Sequence, residues 1–165
     1  MYQLKPIKKE SIPLALEKAE RYRLLKEPWM AESICLDILD SDPGNAKAII
    51  TLLLSNTDQF NAASMINVQQ SRELLSQLPD EYSREYYAGI ICERQGHSIL
   101  STNNPEREHI AYEWLADAMD HYEKAENRSP AGNDDAILRW NTCVRLMQLH
   151  HLTPRTEKYV EQQLE

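Results

Sequence analysis

The chain has little of what builds sheets: three Val and one Phe among 165 residues, where β-branched and aromatic side chains would be wanted on a pleated surface. Glycine is equally sparse. Gly44, Gly89, Gly96 and Gly132 stand too far apart to form G-x-G-x-x-G or a P-loop, which excludes those two phosphate cradles. There is no H-E-x-x-H and no G-x-S-x-G, so the zinc-protease helix and the nucleophile elbow are absent as well. Cys35, Cys92 and Cys143 are odd in number and widely separated, with no C-x-x-C pair. That spacing suggests neither a disulfide framework nor a zinc site and predicts buried free thiols. No stretch approaches the roughly 18 apolar residues of a membrane span. Met1 to Glu20 also lacks the continuous apolar core of a signal peptide, so a soluble cytoplasmic protein with no membrane partner is expected.

What is present favours helix. Leu occurs 20 times and Ala 14 times, both strong helix formers. Leu, Ile, Val and Phe together number 36, enough for a modest core in one domain's length of chain. Acidic residues outnumber basic ones 26 to 18, for a net charge of −8. A nucleic-acid partner is not expected, since binding phosphates needs a cationic face. The charge is uneven: the first 30 residues hold seven Lys or Arg and four acids, and the rest is strongly acidic.

Helical periodicity runs along the whole chain. Ile12, Leu16, Ala19, Tyr22 and Leu25 recur at three-and-four spacing until Glu27-Pro28 interrupts them. Trp29, Ala31, Ile34, Cys35, Ile38 and Leu39 make a second stripe, and the run from Asp40 to Asn45, with its Pro-Gly, stops that helix and starts the next. Further helices are expected over 45–60, 66–77, 81–96, 105–128, 132–150 and 154–164.

These helices repeat. Ala19, Tyr22, Ala31 and Pro43 carry a small residue and an aromatic on a first helix, a small residue on a second, and a proline after it. The pattern resembles the tetratricopeptide repeat, with its period near 34 residues. Ala118, Tyr122, Ala125 and Pro130 look like the second helix of a later repeat, and Gly89, Cys92 and Gly96 resemble its first helix and turn. Ala136, Trp140 and Cys143 take a final first-helix pattern. The resemblance implies a single all-α tetratricopeptide-like domain over 1–165. Its antiparallel hairpins would form an α-α superhelix of about three and a half repeats: 12–45, 46–79, 85–130 with a helical insertion, and an incomplete, capping 133–165. It also implies close helix packing, with Ala31 and Ala118 letting backbones approach while Tyr22 and Tyr122 fill gaps.

The insertion reads as helix. Asn104-Pro105-Glu106 is a good start signal. Ile110, Ala111, Trp114, Leu115, Ala118, Met119 and Tyr122 then share one face, extending the second helix backwards by about three turns. Ile110 and Trp114 either pack on the connecting segment from His97 to Asn103 or meet a second copy of the chain or another partner.

The resemblance further implies a role without catalysis. In this family the first helices of successive repeats line a concave groove that usually binds an extended peptide or a helix, and the chain resembles small bacterial members without an assigned function. At the matching positions lie Leu16, Glu20 and Arg23, then Ile50 and Leu54, then Tyr86, Ile90, Glu93 and Arg94, then Asn141 and Arg145. Members that clamp a C-terminal carboxylate use Lys and Asn where this chain has Leu16 and Glu20. The expected function is a protein-interaction adaptor or scaffold with a protein or peptide partner and no cofactor, metal or catalytic residue. Two alternatives stand: a chaperone for a segment of a secreted partner, and a small metal-dependent hydrolase using Glu113, Asp117 and His121, which follow one another at helical-turn spacing. Solvated or capping roles are the plainer reading of the histidines.

Overall fold

In the computed structural model, which describes residues 2–61 and 65–155, the chain is helical, with no strand among the described residues. A short 3₁₀ turn, Lys9–Ser11, leads into α1 (Ile12–Leu24). There follow α2 (Pro28–Ser41), α3 (Ala46–Asp58), α4 (Met65–Leu75), α5 (Glu81–Leu100), α6 (Arg107–Glu126) and α7 (Asp135–Leu149). The residues gather into two compact units, one up to Arg84 and one from Glu85 onward. The changeover falls between the second and third expected repeats.

Local chemistry sets the helix ends. α1 closes in a Schellman turn: Lys26 takes φ 61°, its N–H donates to the Arg23 carbonyl, and the Glu27 N–H donates to the Tyr22 carbonyl. Pro28 then opens α2, where its missing N–H costs nothing. Between α2 and α3, Asn45 accepts at Oδ1 from the Ala48 N–H (3.0 Å) and donates from Nδ2 to Asp42 (3.0 Å), a side-chain cap that starts α3. Asp80 does the same for α5, accepting from the Ser83 N–H at 2.8 Å.

In the first unit α1 packs on α2, α2 on α3 and α3 on α4, and α1 also reaches α3. Ala19, Ala31 and Cys35 have no exposed surface and meet Leu52, with Tyr22, Ile34, Leu39 and Leu74 around them. Ile12, Ile38 and Ala48 form the adjoining cluster. In the second unit α6 packs on α7, and Ala111, Leu115, Ala118, Tyr122 and Ala125 form its fully buried seam. α5 meets that seam through glycine. A Cβ at Gly89 would stand 2.7 Å from Cδ1 and 2.9 Å from Cζ of Tyr122, so no other residue fits without displacing a buried ring. Cys35, Cys92 and Cys143 are buried free thiols, as their spacing predicted.

Several expectations are corrected. Trp29 and Leu25, assigned to apolar stripes, are both 61% exposed: each sits beside the α1–α2 turn, where the stripe has run past its partner helix. Asn104 does not cap α6. Its side chain accepts from the Glu106 N–H at 2.9 Å, and the helix starts at Arg107. With a partner helix ending near 96 the α6 extension is expected to project beyond it, but α5 continues to Leu100. A Cβ at Gly96 would lie 3.1 Å from Leu115 Cγ and 3.2 Å from Trp114 Cβ. The insertion therefore lengthens both helices of the pair. In the expected last helix, Pro154 and Arg155 are not helical, and the remainder lies outside the described residues.

Candidate functional site

The second unit holds a charged notch between α5 and α7. Its starting point is Glu93, a carboxylate 7% exposed on the buried side of α5. Burying it requires partners, and two side chains supply them: the Tyr122 hydroxyl donates to Oε2 at 2.6 Å, and Arg139 Nη1 donates to Oε1 at 3.0 Å. Burial, and then the Glu93 charge beside it, push the Tyr122 phenol far up, so it is a fixed donor. Burial works against the Arg139 charge, but the Glu93 carboxylate and a hydrogen bond with Tyr86 outweigh it and hold the guanidinium protonated. The Tyr86 ring is set edge-on to Tyr87 at 5.2 Å and tilted against Tyr122 at 6.0 Å. Arg139 is thus positioned by a buried frame while remaining partly exposed.

Beside this frame lies a cavity of about 330 Å³, lined by Glu93, Arg94 and His97 from α5 and by Arg139, Thr142 and Leu146 from α7. Two arginines and one glutamate line the notch, in a chain whose net charge is −8. Leu146 gives it an apolar end. The arrangement suits binding of an anionic or polar chain segment.

The expected groove residues are distributed as follows. Glu93 and Arg94 line the notch, Tyr86 supports it, and Ile90 is buried in the packing at 2% exposure. Arg145 is exposed, and Asn141 lies on the other side of α7, lining a separate cavity with Glu123 and Glu126. In the first unit Leu16 packs against Ile12, Ile38 and Ala48. Glu20 is exposed, and Ile50 and Leu54 are half-buried. Arg23 donates from Nε to Asp58 at 2.8 Å, tying α1 to the end of α3. Ile110 and Trp114 are half-buried. Arg139, Thr142 and Leu146 are absent from the sequence expectation. Their three-and-four spacing marks one face of α7, but pattern matching selected 141 and 145 instead.

The residues of the hydrolase alternative do not converge. His121 Nδ1 lies 2.7 Å from Glu85, which links α6 to α5. Glu113 is 57% exposed, 4.0 Å from Arg155. Asp117 is exposed. No group of three His, Cys, Asp or Glu side chains suited to a metal ion occurs among the described residues, and none of the described helices is long and apolar enough to cross a membrane. His151 serves as a cap, taking φ 52° at the end of α7, and His109 Nδ1 lies 3.0 Å from the Thr153 carbonyl. Comparison of the chain with family models, with curated proteins and with solved structures finds no match in any of the three.

Proposed function

We propose that the chain is a non-enzymatic, cytoplasmic adaptor of tetratricopeptide-like architecture that holds a peptide or helix of a protein partner in the notch between α5 and α7. The observation that carries this reading is the buried Glu93–Tyr122–Arg139 frame. It fixes one guanidinium at the wall of an open cavity and leaves Arg94 and His97 beside it. A preset cation loses less side-chain freedom on binding than a mobile one, and an acidic or C-terminal segment is its natural complement. Support for the architecture comes from Ala19, Ala31 and Ala118, which have no exposed surface at their helix crossings. The contact of α1 with α3 adds to it, since it sets the first helices of two successive hairpins side by side.

The test is affinity capture from the native organism with wild type and Arg94→Glu, followed by titration of synthetic segments from the captured protein. Reversing this charge is expected to weaken binding at least about tenfold and to leave the unfolding midpoint almost unchanged, because Arg94 is only partly buried. Equal affinity of both versions for the same segment would remove the notch as the binding site.

A further inference from the structure

The first hairpin carries an outer face that its own unit leaves uncovered. Of the nine large apolar side chains exposed among the described residues, five lie between Leu14 and Leu36, on α1, on α2 or at the turn joining them. Such side chains scattered singly need no explanation, whereas a group of them marks a surface that meets something. At about 100° per residue, Leu14, Lys18, Arg21 and Leu25 fall within about 60° of one another around α1. All four are exposed, and they form a stripe with a leucine at each end and two cations between, bordered by Glu17. Neither cation has an ion-pair partner among the described residues. The apolar end of the stripe continues into the turn, where Leu24, Leu25 and Trp29 stand within six consecutive residues around the left-handed Lys26. Leu24, at 85% exposure, stands almost clear of its neighbours.

We propose that this face docks on an anionic lipid surface. Lys18 and Arg21 meet the headgroup phosphates, and Leu24, Leu25 and Trp29 enter the boundary between headgroups and acyl chains, where tryptophan is favoured because one end of its ring is apolar and the other wet. Charge selects this occupant. The first 30 residues hold seven cations and four acids, and the other 135 hold eleven and 22, so an anionic surface attracts this hairpin and repels the remainder. A second copy fits less well, since two-fold pairing of the face would set Lys18 and Arg21 against the same cations of the other chain. Attachment of this kind lies on the bilayer and needs no spanning helix. It is independent of the α5–α7 notch and does not rest on the adaptor reading.

The experiment is co-sedimentation of the full-length chain with vesicles of equimolar phosphatidylcholine and phosphatidylglycerol, with pure phosphatidylcholine as the control, followed in parallel by tryptophan emission. The chain is expected to sediment with the anionic vesicles and not with the control, and its emission to shift to the blue. Trp29→Phe should abolish the shift, which separates Trp29 from Trp114 and Trp140. Lys18→Glu with Arg21→Glu, and separately Leu24→Ser with Leu25→Ser, alter only exposed side chains. Both variants should keep the native circular dichroism and weaken vesicle binding at least about tenfold. No sedimentation with anionic vesicles would overturn the proposal, as would equal binding by the charge-reversed variant or a blue shift that survives in Trp29→Phe. Absence of vesicle binding together with a doubled mass that the two serines abolish would assign the face to a second copy instead and overturn it as well.

Discussion

A methyl group at Gly89 would collide with the ring of Tyr122, and that reverses the usual sign of a helical Gly→Ala change. Elsewhere in a helix the change gains about 1 kcal/mol from backbone entropy. Here the added Cβ meets Cδ1 and Cζ of a fully buried side chain whose hydroxyl is bonded to Glu93, so the ring cannot turn aside without breaking that bond. Gly89→Ala is expected to lose about 1–3 kcal/mol in urea unfolding. Gly44→Ala, with nothing within 4 Å of its Cβ, should stay within about 0.5 kcal/mol of wild type. A stabilised Gly89→Ala would mean that α5 and α6 do not approach as closely as the structure has them. Residues of this kind are partly legible in a sequence. Ala31 and Ala118 announce themselves as small positions at repeating intervals. Arg139 does not, because its role depends on a carboxylate 46 positions earlier that only the folded pair of helices brings near.

Helices were more legible than their ends. Seven of the eight expected helix ranges coincide with α1 to α7, since burial on one face imposes a 3.6-residue period on the sequence, and the eighth, over 154–164, falls almost wholly outside the described residues. The ends follow weaker signals. α5 continues through His97-Ser98-Ile99-Leu100 because nothing there breaks a helix, and the Gly96 that resembles a repeat's turn is instead a contact point for Trp114 and Leu115. Two ends use a residue that carries no stop signal: Lys26 and His151 occupy the left-handed position of Schellman turns, at φ 61° and 52°. In the second, the Leu152 N–H reaches the Met147 carbonyl at 2.9 Å, and its side chain is buried. A non-glycine residue in that region carries about 1 kcal/mol of strain. Lys26→Gly is therefore expected to raise stability by roughly 0.5–1 kcal/mol and leave the circular dichroism spectrum unchanged. A lower melting temperature would show that the lysine side chain, not the turn geometry, holds that end.

For the whole molecule the sequence yields the helical class; the two compact units change over at 84–85. It does not reveal which charges are buried, because composition counts charges without placing them. The buried thiols give the molecule a property that can be measured across both units. Cys35 lies in the first and Cys143 in the second; burial is the main cause that pushes each from 9.0 to about 12. Below pH 9 folded and unfolded chains both keep these thiols protonated, so they contribute nothing to the pH dependence. Between pH 9 and 12 the unfolded chain releases the protons and the folded one retains them. Stability then falls as pH rises, by up to about 1.4 kcal/mol per pH unit for each thiol. The Tyr122 phenol, also raised by burial from 10.0, adds to the fall above pH 10. The urea midpoint is thus expected to be flat from pH 7 to 8.5 and to drop steeply from 9 to 10. Cys35→Ala with Cys143→Ala should flatten the drop between 9 and 10 and leave above 10 only the share that belongs to Tyr122. An equal slope in wild type and the double variant would show that the two thiols meet water in the folded state, and with them the helix crossings that bury them.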